Sequence, residues 1–114
     1  MNPRKVCIQV ESIEAGLERF KIAWETGEQQ GEFITFETLD EMLSTLTRKR
    51  WTLLGVLQHH GPMSLRALAR RLERDVKNVH ADVAALKEIG LIEEDEAGVK
   101  VPYDEIEAHL RLAA

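Results

Sequence analysis

The strongest constraint on the fold lies in residues 64–90, SLRALARRLERDVKNVHADVAALKEIG. Leu65, Leu68, Ala69 and Leu72 recur at helical spacing behind Ser64, a residue type that caps helix N-termini. Arg66, Arg70 and Arg74 repeat every four residues on the other side. Asp75 restarts the pattern as a second cap. Val76, Val79, Val83 and Leu86 make the next apolar stripe, and Gly90 reads as a stop. Two helices this short cannot bury their stripes against each other alone, so a third element is required. A basic first helix and a second helix with Lys77, Asn78 and His80 near its start predict a helix-turn-helix. In that motif the early part of the second helix meets base edges in the major groove.

The net charge of −5 over 114 residues argues against a nucleic-acid binder until its distribution is followed. Residues 1–47 carry four Lys/Arg and nine Asp/Glu; residues 48–92 carry nine and four; residues 93–114 carry two and seven. The basic block coincides with the two helices and the segment before them. Local charge sets attraction to phosphates within a Debye length of roughly 10 Å. An ordinary solvated surface with uneven charge is the plain alternative.

Taken in order, Val6, Ile8 and Val10 alternate with polar neighbours, the period of a half-buried strand. Ser12 then caps a helix with Ile13, Leu17, Phe20 and Trp24 on one face. A polar loop spans Thr26 to Gly31, and Phe33 to Phe36 reads as a second strand. Thr38 and Glu41 fit a capping box that starts a helix through Leu39, Met42, Leu43 and Leu46. A further helix begins at Arg48-Lys49-Arg50. From Trp51 to Leu57 it is apolar nearly all round, which predicts a central, buried helix. Gly61-Pro62 ends it. After Gly90, residues 91–101 predict a β-hairpin turning near Ala97-Gly98, the wing of a winged helix. Ile106, Ala108, Leu110 and Leu112 alternate with polar residues, the period of a last strand, with a helix still open on composition.

Arg48, Lys49, Arg50, Arg66, Arg70, Arg71 and Arg74 are the candidate phosphate contacts, with Ser64 at the helix start. Lys77, Asn78, His80 and Ala81 are candidates for the base-facing surface; Asn pairs with adenine and Lys with guanine or phosphate. His80 fits the edge of the core equally well. His59 and His60 point about 100° apart on a helix, so no shared metal site is expected. Asp104-Glu105 and Glu93 to Glu96 have no partner base or nucleophile, and no phosphate-loop, dinucleotide or nucleophile-elbow motif occurs. No enzymatic activity and no cofactor are therefore expected. Cys7 stands alone, which excludes an intramolecular disulfide. Without an apolar run long enough for a membrane span or a signal peptide, a cytoplasmic protein is expected.

The run from Leu46 to Glu107 resembles a group of small prokaryotic predicted transcriptional regulators with a MarR-like winged helix, and the resemblance covers roughly residues 33–107. The resemblance rests on Lys49-Arg50-Trp51, on Ser64 to Leu72, on Arg74 to His80 and on Val101-Pro102-Tyr103-Asp104-Glu105-Ile106. It implies a DNA-binding regulator. Members of the group often sit beside small toxin genes, so it further implies an antitoxin with a small basic toxin as partner. The expected fold is α+β: a winged helix-turn-helix with an N-terminal β-α-β extension. Residues 1–36 form the extension, for dimerisation or partner binding. Residues 37–114 form the DNA-binding unit with its C-terminal strand. A homodimer on double-stranded DNA is expected, because one module reads only a half-site. Its interface is assigned to Val6, Ile8, Val10, Ile13, Leu17, Phe20 and Trp24, with the strand Ile106 to Leu112. The rival reading is a protein-interaction winged helix without DNA binding, favoured by the acidic hairpin.

Overall fold

The computed structural model describes residues 4–27, 31–110 and 112. The protein is α+β, with five helices and five strands among those residues. In chain order they are β1 (Lys5–Val10), α1 (Ile13–Thr26), β2 (Glu32–Phe36), α2 (Leu39–Thr45), α3 (Arg48–His60), α4 (Leu65–Leu72), α5 (Val76–Glu88), β3 (Glu93–Asp95), β4 (Gly98–Lys100) and β5 (Glu105–His109). The loop expected at 26–31 and the tail beyond Leu110 fall partly outside the described residues.

Each helix starts where the sequence offers an oxygen to an orphan N–H. The side chains of Ser12, Thr38, Thr47, Ser64 and Asp75 accept from the backbone N–H groups of Ala15, Glu41, Arg50, Ala67 and Lys77. The capping box at α2 is shifted by one residue. Glu41 Oε2 accepts from the N–H of Glu37 at 3.2 Å, not from that of Thr38. Between α4 and α5 the chain turns through Glu73, which lies in the left-handed region at φ 54°. The N–H of Arg74 reaches the Ala69 carbonyl at 3.0 Å and that of Glu73 the Arg70 carbonyl at 3.2 Å, closing a Schellman turn.

The three-stranded sheet has the order β2-β1-β5, with both pairings parallel. Val10 pairs with Phe36, Ile8 with Ile34 and Ala108, and Val6 with Ile106. This places the alternating apolar residues of all three strands on one face, which joins the core. β1 is therefore the central strand. Val6 and Ile8 are buried within the protomer, at 1% and 0% exposure, and take no part in a dimer surface. β1 also has no open edge for a second copy, since both its edges are paired. The boundary expected between residues 36 and 37 is crossed by this sheet, because β5 pairs with β1 of the extension.

α3, α4 and α5 pack with the hairpin β3-β4 around Leu53, Leu54, Leu57, Leu68, Ala69, Val79, Val83, Leu86, Leu91, Ile92 and Val99. α3 is not buried on every side. Leu53, Leu54 and Leu57 face the core, while Thr52, Gly55 and Gln58 are exposed. Its apolar run mixes one core face with the half-buried Trp51 and Val56. Val76, read as the start of the α5 stripe, is 43% exposed. The hairpin is locked by Met63, whose N–H and C=O exchange hydrogen bonds with Val99 at 3.2 and 2.9 Å. Gly98 is the residue that permits this approach. Its φ is 119°, and a β-carbon there would collide with the Met63 carbonyl.

Candidate functional site

The solvent-facing side of α5 follows from its buried side. Val79, Val83 and Leu86 are held in the core, so Lys77, Asn78, His80, Ala81 and Ala84 are turned to solvent. The exposed position of His80 removes it from the core, where it fitted equally well on sequence. Arg66 and Arg70 lie one helical turn apart on α4 and are exposed. With Ala69, Glu73, Arg74 and Val76 they line an open cleft where α4 meets the start of α5. These two arginines and the first residue of α5 are thus brought to the same cleft.

Other candidate residues are used differently. Ser64 caps α4 with its side-chain oxygen. Arg71 sits beside His60, with Nη1 3.4 Å from the ring Nε2. Desolvation, then the Arg71 guanidinium and the His59 ring, holds the His60 imidazole below its ordinary pKa. Arg48 and Lys49 are exposed in the first turn of α3. Arg50 and Arg74, expected as phosphate contacts, point inward to one carboxylate. Arg50 Nε lies 3.0 Å from Asp82 Oδ1, and Arg74 Nη2 lies 2.8 Å from Asp82 Oδ2. Arg50 also donates to the Thr45 carbonyl at 2.8 Å. With side-chain exposures of 20%, 19% and 15% for Arg50, Arg74 and Asp82, this is a partly buried cross-link. Arg74 therefore lines the cleft beside Arg66 and Arg70 with its guanidinium committed to Asp82.

Asp82 was missed as a structural residue. The available signal was its position: an acid between Val79 and Val83 faces the core boundary, where it needs a cation. The hairpin's counter-ions were also missed. Lys87 Nζ is 2.8 Å from Glu94, Lys100 Nζ is 2.7 Å from Asp95, and Arg4 Nη1 is 4.0 Å from Glu93. The Lys100 ammonium, then the Ala97 N–H, holds the Asp95 carboxyl below its usual range. Three of the hairpin's four acids, Glu93, Glu94 and Asp95, thus have a cation within 4.0 Å. A small recess between hairpin and helices is lined by Leu65, His80, Val83, Ala84, Lys87, Glu94 and Val99.

Arg4 ties the hairpin to the sheet. Its Nε and Nη2 each meet one oxygen of Glu32, at 2.9 and 2.8 Å, and its guanidinium lies 4.7 Å from the centre of the Tyr103 ring. The paired guanidinium holds the Glu32 carboxyl below its ordinary value. Burial pushes the Tyr103 phenol up. Among the described residues no group of three or more His, Cys, Asp or Glu is arranged to hold a metal ion, and no helix is long and apolar enough to cross a membrane.

No curated protein matches the chain. The family model HVO_A0114 matches residues 45–108, from the last residue of α2 through α3, α4, α5 and the hairpin into β5. That match covers more than half of the sequence, and the chain belongs to the HVO_A0114 family.

Proposed function

We propose that the protein is a winged-helix regulator that binds double-stranded DNA through α5. The reading is carried by one observation: the exposed Arg66 and Arg70 of α4 line a cleft with Val76 in the first turn of α5, the helix whose exposed positions include Lys77, Asn78 and Ala81. In this reading the first turns of α5 enter the major groove. Asn78 and Lys77 meet base edges, and Arg66 and Arg70 fix the register on phosphates. The β3-β4 hairpin is the wing. Its pairing with Lys87, Lys100 and Arg4 reduces the repulsion that four consecutive acids would exert on a phosphate backbone.

Anisotropy titrations with the DNA upstream of its own gene, at two salt concentrations, test the reading. Lys77→Ala and Arg70→Ala should each weaken binding on every sequence and reduce the salt slope by about one unit. Asn78→Ala should change sequence preference instead. Unchanged affinity and slope for both cation variants would refute the assignment. The acidic surface supports a second reading, a module that binds a protein without DNA. Residues 1–47 combine nine carboxylates with the exposed Phe20 and Trp24, which suits a small basic toxin. Co-expression with the neighbouring small open reading frame and a pull-down test that partnership.

A further inference from the structure

α1 presents two different surfaces. Gly16, Arg19 and Ala23 are its only half-buried residues, and they mark the side laid on the sheet. Arg19 is held there by Glu11 at 2.9 Å and lies over the Phe33 ring at 4.6 Å. Phe33 pairs with Cys7 and so points away from the face that carries Val6 and Ile8. α1 therefore covers the sheet face opposite the main core, and it does so with small and charged residues. Four of its five large apolar residues stand about a quarter-turn round the helix, and the fifth, Ile22, is exposed on the opposite side from them. Ile13, Leu17, Phe20 and Trp24 are 59%, 64%, 62% and 80% exposed. Phe20 and Trp24 stack on each other, with centroids 6.4 Å apart.

The spacing of these four residues is four, three, four, which is a heptad seam with Leu17 and Trp24 at a and Ile13 and Phe20 at d. One flank of the seam, Gly16 and Ala23, rests against the chain's own sheet. The other flank carries Glu14 and Lys21, both exposed. In an antiparallel helix pair that flank meets the same flank of its partner in reverse order. Glu14 then faces the partner's Lys21, and Lys21 faces the partner's Glu14. The same operation sets Ile13 against the partner's Trp24 and Leu17 against the partner's Phe20. A parallel pair would instead set Lys21 against the partner's Gly16 and leave Glu14 without a facing helical residue. We infer that two copies of this chain associate through an antiparallel, two-fold pairing of α1 with α1, in this register.

The surface is of the right size for that occupant. The four side chains expose on the order of 500–600 Å² per protomer, most of the roughly 800 Å² that each partner contributes to a standard interface. The Ser12 cap and the Arg19 contacts already hold α1 in place, so no helix needs to fold on association. The inference is independent of DNA binding, and in such a dimer Phe20 and Trp24 are no longer open to a toxin.

Sedimentation equilibrium of the full chain tests it. The wild type should be a dimer at tens of micromolar, and Leu17→Glu should be a monomer with an unchanged circular dichroism spectrum. Glu14→Lys and Lys21→Glu each convert two attractive contacts per dimer into repulsive ones. Each should raise the dissociation constant on the order of tenfold, and the Glu14→Lys/Lys21→Glu double variant should restore it. Both charge variants lie at exposed positions, so they report even if Leu17→Glu misfolds. A monomeric wild type, or a dimer indifferent to Leu17→Glu, would overturn the interface. Charge variants that weaken nothing, or a double swap that fails to restore, would overturn the antiparallel register.

Discussion

Replacing Asp82 by alanine should be among the most damaging single changes in the protein, although its side chain is neither apolar nor in the proposed DNA surface. Each carboxylate oxygen takes one guanidinium, at 3.0 and 2.8 Å, and the three side chains are only 15–20% exposed. A hydrogen bond to a charged group contributes about 1.5–3 kcal/mol. Breaking a fully buried pair costs about 3–5 kcal/mol, because a charge is left behind. Arg74 Nη1 is already buried without a hydrogen-bond partner, so Arg74 has little reserve. Arg50 keeps the Thr45 carbonyl. Partial access of water lowers the total to about 2–3 kcal/mol, a fall of about 1–2 M in the urea midpoint for a chain of this size. Equilibrium urea unfolding of Asp82→Ala at low and at 0.5 M salt measures this (the salt figure being about half the ~1 M at which the Debye length is 3 Å). A partly buried cross-link should keep most of its effect in salt. A loss under about 0.5 kcal/mol, or one abolished by salt, would mean that Arg50 and Arg74 are ordinary surface pairs. Their removal from the phosphate-binding set would then be wrong too.

Gly98→Ala should lower stability by about 2–4 kcal/mol, since the new methyl would displace the Met63 strand from the hairpin; thermal unfolding at wild-type temperature would refute the close approach. Glu73→Gly should raise stability by about 1 kcal/mol, because it relieves a non-glycine residue at φ 54°. An unchanged or lower urea midpoint would show that the glutamate makes a compensating contact. His60 is held below its ordinary value near 6.5 in the folded protein, so the fold favours the neutral ring. Its contribution is present above the unfolded value and is lost as pH falls from there through the lower folded value. Midpoints measured from pH 7.5 to 5.5 (about one unit either side of the histidine value) should therefore fall less steeply for His60→Gln than for wild type, and identical slopes would exclude the effect.

Local chemistry was legible. A hydroxyl or carboxylate ahead of an apolar periodicity marked four of the helix starts at Ser12, Thr38, Ser64 and Asp75, and a period of two marked β1 and β5. These signals act within one turn or one strand, where sequence spacing equals spatial spacing. What the sequence withheld is set by distant partners. Arg50 and Arg70 look alike as basic residues, and only the position of Asp82 32 residues later turns Arg50 inward. Val6 and Ile13 both read as apolar association residues. The pairing of β1 with both β2 and β5 consumes Val6, whereas α1 rests on the sheet through Gly16, Arg19 and Ala23 and leaves Ile13 outside.

The central place of β1 also dictates when the protein can be completed during its synthesis. α3, α4, α5 and the hairpin are sequence neighbours and can assemble as they leave the ribosome. β1 is made well before its second neighbour, β5, and the N–H of Arg4 is bonded to Asp104, 100 residues away. Through that interval one edge of an apolar strand stays open, a condition that invites aggregation or capture by chaperones and proteases. A message broken before the codon for Glu105 would therefore yield a product with a formed helical module and a permanently open sheet.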